Sequence, residues 1–332
     1  MRCAKAMLLT LAASSFLLLA SFSGDDFEAA ERFFQGGEFR QAEALYSRIK
    51  PGHPQYSQAV LRLGTIYYAT ERPAQAERSF EEYLRFRESP EAYCLLAGAQ
   101  FNQKKFAQAY ESAKKALRLE PRYAKAYTAL GMIYAAIGDW PDSQAAYQES
   151  LRLKPDDPDT WFMLGRGYFL RDDFPHAQQA FENVHRLSPE QVRTYENLAL
   201  TLDLMNQPKA ADRTYLEGIR MNQLRKHPEP KILIAYGKFL AKEDRAEDSL
   251  AQFREAVRVA PLDSGAHYEM ASQLARMKRW SEAAQEGEVA LRNGGATEQI
   301  HYLLARIYTA LGKADAASQH AREAARLAQN QP

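Results

Sequence analysis

Residues 124–157 read AKAYTALGMIYAAIGDWPDSQAAYQESLRLKPDD, and this segment carries the clearest structural pattern of the chain. It holds two apolar patterns of helical period, separated by the turn pair Gly138-Asp139. Two helices can cross closely only where their side chains are small. Small residues lie at Gly131 in the first pattern and at Ser143 in the second. The segment therefore predicts a tight helical hairpin.

The same pair of small residues recurs along almost the whole chain. The interval from Gly131 to Gly165 repeats from copy to copy, except that the step from Gly64 is one residue shorter and the step from Ala199 is four residues longer. The first series is Ala30, Gly64, Ala97, Gly131, Gly165, Ala199, Gly237, Ala271 and Ala305, and the second is Ala42, Ala76, Ala109, Ser143, Ala177, Ala211, Ser249, Ala283 and Ala317. Such a period is typical of a stacked repeat architecture. The sequence predicts nine hairpins near 23–56, 57–89, 90–123, 124–157, 158–191, 192–229, 230–263, 264–297 and 298–331.

The copies resemble the tetratricopeptide repeat (TPR) family. Residues 158–191 carry the family's pattern in order, as Trp161, Leu164-Gly165, Tyr168, Ala177, Phe181 and Pro189. The resemblance covers nearly all of the chain after its first residues, with weaker copies at both ends. It implies an all-α fold, a right-handed superhelical solenoid of antiparallel helix hairpins that forms one domain over 24–332.

Two features depart from the regular pattern. The long step from Ala199 to Gly237 adds four residues around 222–229. Four residues make about one helical turn, so we expect the second helix of the sixth copy to be one turn longer. A flexible linker between domains is the alternative. The last copy carries Ala317, Ala321, Ala324 and Ala325, a shallow apolar face that we expect to contact a partner.

Residues 1–23 have the composition of a secretory signal. Arg2 and Lys5 precede an apolar run over 7–20, and small residues lead to a cleavage site after Ser23. We expect export to a periplasmic or outer-membrane-associated location, with no integral membrane segment after cleavage. An uncleaved N-terminal anchor is the alternative. Cys94 is then the one remaining cysteine, so no internal disulfide is expected.

Composition and charge narrow the classes of function. With 46% apolar and 26% charged residues, the chain has the composition of a folded protein. Because 43 basic residues balance 42 acidic ones, no overall field attracts nucleic acid, and no nucleic-acid partner is expected. The repeats occupy nearly every stretch of sequence, which leaves no insertion for a catalytic domain. We therefore expect no enzyme activity and no cofactor.

Three features that could suggest chemistry have simpler structural interpretations. The Gly-Arg-Gly of 165–167 lacks the third glycine of a dinucleotide-binding fingerprint and lies within a repeat helix. His267 and His301 occupy equivalent positions in adjacent copies, but two ligands do not make a metal site, and packing is favoured. Cys94 lies beside apolar residues, which favours burial over reactivity. The sequence therefore predicts neither a metal site nor catalytic residues.

The resemblance implies that the first helix of each hairpin lines a concave surface where partners bind. The corresponding residues are Tyr68, Phe101, Met132, Phe162, Arg166, Phe169, Glu196, Asp203, Lys231, Lys238, Tyr268, Tyr302 and Arg306. Aromatic residues and arginine often dominate binding energy, and Phe162, Arg166 and Phe169 share one helical face. Packing against neighbouring helices is the alternative for each aromatic residue. The family's clamp for a peptide carboxylate is not expected, because Phe162 and Ala235 replace its Lys and Asn.

These observations predict a non-catalytic scaffold or adaptor that binds a protein or peptide partner in its concave groove outside the cytoplasm. The partner's identity is left open, because the same fold serves many partners. The alternative is a structural subunit of a cell-envelope assembly of the secretion, pilus or cytochrome-maturation type. A groove-based enzyme is a third and weaker hypothesis.

Overall fold

The computed structural model describes residues 23–294 and 297–329, so the predicted signal segment lies outside the described residues, apart from Ser23. The described part of the chain forms 18 helices and no strand. They are α1 (Ser23–Gln35), α2 (Phe39–Tyr46), α3 (Tyr56–Ala69), α4 (Pro73–Phe86), α5 (Pro90–Asn102), α6 (Phe106–Leu119), α7 (Ala124–Ala136), α8 (Trp140–Leu153), α9 (Pro158–Phe169), α10 (Phe174–Leu187), α11 (Val192–Leu204), α12 (Pro208–Gln223), α13 (Lys231–Lys242), α14 (Ala246–Val259), α15 (Ser264–Arg276), α16 (Trp280–Gly294), α17 (Glu298–Ala310) and α18 (Ala314–Gln329).

The helices follow the predicted repeats in pairs, and the prediction of an all-α hairpin fold is confirmed. Helices of one pair pack together, as α7 does against α8 and α15 against α16. The chain divides into two compact units between Met163 and Leu164, within α9. The first unit holds the first four hairpins and the start of α9. The second holds the remaining helices. The single continuous domain over 24–332 stays a prediction.

The small residues lie at the helix crossings, as their spacing predicts. Ser143 Oγ donates a hydrogen bond of 2.8 Å to the carbonyl oxygen of Gly131, which ties α8 to α7. A Cβ atom added to Gly131 would lie 2.6 Å from a ring carbon of Tyr147, a distance too short for real contacts. Ser249 and Gly237 form the same 2.8 Å bond in the second unit. All members of both series are buried except Ala305, which is partly exposed. Glycine, alanine and serine are therefore required by close approach of the helices.

The turn inside each hairpin depends on one residue with left-handed backbone geometry. Gly138 provides it in the fourth hairpin, with φ of 84°, and Gly312 provides it in the ninth, with φ of 70°. Other hairpins place a non-glycine residue there, such as Asn206 or Lys278, with φ near 59° and 60°. The position ends the first helix and directs the chain back along it.

Two predicted caps mark the start of first helices. Ser89 Oγ accepts a 3.1 Å hydrogen bond from the amide of Ala92 at the start of α5. Asp157 Oδ2 accepts a 3.2 Å bond from the amide of Thr160 at the start of α9. In each case proline follows the cap at the first helical position, where its missing amide hydrogen costs no internal bond.

The expected extra turn in the sixth hairpin is wrong in part. Helix α12 has 16 residues, whereas α10 has 14, so the helix is two residues longer and the rest of the insertion is a loop. Asn222 holds this loop: its amide group donates to the carbonyl oxygen of Glu229 at 2.8 Å and accepts from the Glu229 amide at 2.9 Å. These two bonds satisfy a buried side chain and anchor the loop that leads to α13.

Candidate functional site

A pocket of about 280 Å³ opens between first helices of the first unit. Tyr68 of α3 lines it, as do residues of α5 and α7 and the beginning of α9. We call it the apolar pocket; its lining residues are Tyr68, Glu91, Cys94, Leu95, Ala97, Gly98, Phe101, Tyr123, Lys125, Thr128, Ala129, Met132, Ile133, Asp157 and Asp159. Three predicted groove residues, Tyr68, Phe101 and Met132, are thus brought together.

Close packing positions the aromatic walls of the apolar pocket. A Cβ atom at Gly98 would lie 3.0 Å from Oη and 3.2 Å from Cε2 of Tyr68, so glycine leaves room for this ring. The ring of Phe101 packs on that of Phe106 with centroids 5.5 Å apart. Met132 also lines the apolar pocket and is partly exposed. The result is a preformed concave surface of large apolar side chains, which is typical of ligand sites.

Cys94 is an apolar wall of this pocket. Burial is the main cause that raises the pKa of its thiol to about 12; the charge of Lys125 opposes this shift and that of Glu91 adds to it. Because the thiolate is the reactive form, the thiol is unreactive at neutral pH. Cys94 is partly buried, so the predicted burial of this residue is confirmed only in part.

A network of hydroxyl groups supports the polar end of the same pocket. Thr128 Oγ1 lies 2.7 Å from Oγ1 of Thr160 and 2.8 Å from Oγ of Ser150. The Thr160 hydroxyl also donates to the capping carboxylate of Asp157. Ser150 and Thr160 are fully buried, so these bonds satisfy groups that cannot reach water. They fix the relative positions of α7, α8 and the start of α9.

A second pocket of about 400 Å³ lies in the second unit, between α11 and α13. We call it the charged pocket; it is lined by Glu196, Leu200, Asp203, Tyr215, Lys231, Ile234, Ala235, Lys238, Phe239 and Lys242. Four of these residues, Glu196, Asp203, Lys231 and Lys238, belong to the predicted groove.

Ion pairs occupy two of the three lysines in the charged pocket. Lys242 Nζ lies 2.7 Å from Oδ1 of Asp203, which is mostly buried. Lys238 Nζ lies 2.5 Å from Oε1 of Glu269 on α15. Lys231 is exposed at the start of α13. The charges of this wall are therefore largely compensated before any partner arrives.

Glu196 differs from the other acidic groups of the charged pocket. It is partly buried, and in the described part of the chain it takes part in no hydrogen bond and no ion pair. Burial raises the pKa of its carboxyl group, Lys231 opposes the shift, and Glu229 adds to it. The folded chain thus holds a carboxylate in a partly desolvated place without a direct partner.

The remaining predicted groove residues do not line either of these pockets. Phe162 is 4% exposed, so its ring has little surface to offer and is packed in the interior. Arg166 is exposed, and Phe169 packs on Phe174 with ring centroids 5.8 Å apart. In the last two hairpins Tyr268 is partly buried against the core, Arg306 is exposed, and Tyr302 is 70% exposed.

Several pocket residues were missed by the sequence prediction. Glu91, Lys125 and Asp159 hold one equivalent repeat position, six residues before the first small residue, and all three line the apolar pocket. Because these three residues share one repeat position, the repeat period could have identified them from the sequence. Tyr123 precedes α7 in a connecting loop, where helical spacing gives no guidance.

The side chains of His267 and His301 each contact a residue on the second helix of their own hairpin. His267 pairs with Glu286, Nδ1 to Oε2 at 2.7 Å, and its Nε2 lies 3.0 Å from a carbonyl oxygen. His301 Nδ1 lies 2.9 Å from Nδ1 of His320, and burial together with this neighbour lowers the pKa of His301. Within residues 23–294 and 297–329, no group of three His, Cys, Asp or Glu is placed to hold a metal ion.

Among the helices that the structure describes, none combines the length and the apolar character needed to span a bilayer.

Models of the tetratricopeptide repeat family match most of the chain. One matches residues 27–93 and 239–297, a second 100–166, and a third 298–331. The chain therefore belongs to the tetratricopeptide repeat family. Proteins of this family generally act as non-catalytic scaffolds that bind other proteins. No curated protein matches the sequence.

Solved structures share the fold at low sequence identity. A tetratricopeptide repeat protein from Parabacteroides merdae is 14% identical, with 77% of this chain and 100% of that one covered and a TM-score of 0.56. Yeast Tom70 is 16% identical, with 91% and 84% covered and a TM-score of 0.54. PilW, described as a type IV pilus biogenesis factor, is 19% identical, with 62% and 93% covered and a TM-score of 0.53. At these identities the likeness shows the fold alone.

Proposed function

We propose that this chain is an exported interaction scaffold whose apolar pocket holds a side chain of a protein partner. The observation that carries the proposal is the convergence of Tyr68, Phe101 and Met132, from three successive first helices, on one preformed cavity. Repeat scaffolds of this kind offer extended concave surfaces, on which large apolar side chains become the main contacts.

The size and walls of the apolar pocket favour one bulky apolar side chain from an extended segment. A cavity of about 280 Å³ is at the small end of ligand sites and suits one anchoring residue. Charged residues stand where the helices begin, at Glu91, Lys125 and Asp159. They can bond the partner's backbone or polar flanks while the apolar walls receive the anchor.

The experiment that tests the proposal compares two single-residue variants. Met132→Glu places a charge in the apolar pocket, whereas Ile137→Glu places the same charge at an exposed position, 57% accessible, directly after helix α7. Residues 24–332 of each variant are used for affinity capture from envelope extract, after circular dichroism has confirmed folding. We expect Met132→Glu to lose the partner and Ile137→Glu to keep it, because burying an unpaired charge costs several kcal/mol.

A partner held equally by all three proteins would place the interface elsewhere. That outcome would favour the alternative of a structural subunit in an envelope assembly. PilW, which shares the fold, is described as a pilus biogenesis factor, and a role of that kind would then be the next to test here.

The proposed location outside the cytoplasm rests on residues 1–23. A fusion of this segment to a reporter that is active only after export should be active. Substituting Leu17 and Leu18 by Glu should abolish that activity, because the apolar run is the feature that export machinery recognises. Mass spectrometry of the exported chain tests cleavage after Ser23; an intact N-terminus would indicate the anchored alternative.

A further inference from the structure

We propose that the charged pocket binds a cationic side chain of the partner, of arginine or lysine type, with Glu196 as its counter-ion. This inference rests on the proposed scaffold function and adds the chemistry of a second contact. Its site is separate from the apolar pocket, since the two pockets share no lining residue.

The distribution of partners among the charged groups points to Glu196. Asp203 is engaged by Lys242 at 2.7 Å, and Lys238 is engaged by Glu269 at 2.5 Å. Glu196 has no such partner within the described residues, although it lines the cavity. An incoming cation therefore finds a carboxylate that is ready to accept hydrogen bonds. An incoming anion would have to displace an existing ion pair or compete with water at the exposed Lys231.

Desolvation makes Glu196 a better acceptor than a surface carboxylate. Its partial burial has already removed some of its water in the folded chain, which is the cause of the raised pKa of its carboxyl group. The attraction between a cation and this carboxylate is stronger where the dielectric constant is lower. Binding also costs less desolvation free energy, because folding has already removed part of the carboxylate's water. Lys231 supplies only a distant compensating charge, because it lies beyond ion-pair contact.

The other walls suit the methylene stem of such a side chain. Leu200, Ile234, Ala235 and Phe239 contribute apolar surface to the same pocket as the carboxylate, and Tyr215 of α12 also lines it. Arginine and lysine bury their stems against apolar surface while their charged ends meet a carboxylate. A cavity of about 400 Å³ has room for one such side chain.

The test uses butylguanidinium, which has the guanidinium group and an aliphatic stem, and butylurea, its neutral isostere. Binding to residues 24–332 is followed by saturation-transfer NMR. We expect butylguanidinium to bind and butylurea to bind at least about tenfold more weakly, because an unpaired carboxylate discriminates by charge. Glu196→Gln should weaken butylguanidinium by about tenfold as well. Glu243→Gln, an exposed glutamate at the end of α13, is the control and should leave binding unchanged.

Acidification provides a second measurement on the unchanged protein. Binding of butylguanidinium should weaken as the pH falls, because the Glu196 carboxyl group takes up a proton, and the weakening should begin above the usual titration range of a glutamate. This measurement decides the question even if Glu196→Gln folds poorly. Equal binding of both probes, no binding of butylguanidinium, or full binding to folded Glu196→Gln would overturn the inference. Each of these results leaves the apolar-pocket proposal standing, since Met132→Glu tests that proposal separately.

Discussion

The apolar pocket and the charged pocket are built on the same positions of the repeat, yet their chemistry is opposite. Both use residues three before, one after and four after the small residue at the helix crossing. These positions hold Cys94, Met132 and Phe101 in the first unit, and Glu196, Lys238 and Asp203 in the second. The crossing residue is restricted by close packing, whereas its neighbours one turn away line a cavity and are free to vary. Within each repeat, therefore, different positions maintain the helix packing and determine the chemistry of the exposed surface.

The two pockets should contribute to binding in different ways. Apolar walls gain free energy in proportion to the area they bury, so the first pocket should supply affinity. Compensated ion pairs with one unsatisfied carboxylate add little net affinity but reject wrong partners, so the second should supply specificity. Binding at the second pocket should accordingly weaken with added salt, and binding at the first should not.

The largest expected effect concerns Cys94, which holds the position that Glu196 holds in the other pocket. With a thiol pKa of about 12, Cys94 should react with iodoacetamide about a thousandfold more slowly at neutral pH than a free cysteine. The measurement is the labelling rate by mass spectrometry, first in buffer and then in urea as the control, where the rate should recover. Fast labelling of the folded chain would show that water reaches the Cys94 thiol and that its pKa is not raised.

The next effect tests whether both units depend on the crossing to the same degree. Gly131→Val in the first unit and Gly237→Val in the second would place Cβ atoms 2.6 Å and 2.5 Å from aromatic rings. Each should lower the free energy of unfolding by about 3 kcal/mol, measured by urea denaturation. Ala135→Val, at an exposed position of α7, is the control and should cost less than about 0.5 kcal/mol. A loss as small as that of the control would mean that the crossing can open.

The smallest expected effect is on the pH dependence of the free energy of unfolding. One carboxyl group in each unit contributes to it, and the two contributions should have opposite signs. The pKa of Glu196 is raised by burial, so its contribution to stability is complete below the unfolded pKa and is lost as pH rises through the folded pKa. Glu196→Gln should therefore raise the free energy of unfolding at pH 7, by less than about 1 kcal/mol, and have no effect near about pH 4.

Glu77 in the first unit provides the matched control with the opposite sign. Burial acts to raise its pKa, but hydrogen bonds from Lys105 at 2.6 Å and Gln103 at 2.8 Å lower it below its usual range. Its contribution is present above the unfolded pKa and is lost as pH falls through the folded pKa. Glu77→Gln should thus destabilise the chain at pH 7. If urea unfolding at pH 7 showed that Glu196→Gln and Glu77→Gln change the free energy of unfolding in the same direction, this explanation would be contradicted.

The sequence predicted the scaffold well because the scaffold follows from local and periodic features. Gly131 and Ser143 are twelve residues apart in a helical pattern, and that spacing alone implies a crossing. Caps such as Ser89 and Asp157 act within three residues, so they too are visible in the sequence. The four inserted residues were located correctly, but not their conformation, because Asn222 anchors them through a contact seven residues away.

The candidate site was predicted only in part. Tyr68, Phe101 and Met132 meet as expected, since helices of neighbouring hairpins place equivalent positions side by side. Phe162 occupies the same repeat position as Cys94 but is buried. Its exposure depends on which neighbours pack over it, and periodicity does not specify that.

The number and order of the helical hairpins follow from the sequence alone, because each hairpin depends on small residues and turns at fixed short spacings. Which helix faces form pockets, and which acidic groups form ion pairs, depends on the tertiary structure. Asp203 meets Lys242 across 39 residues of chain, while Glu196 meets no comparable cation within the described residues. Such differences arise from side-chain packing between successive hairpins, where shifts of a few ångströms decide whether two charges pair or remain apart.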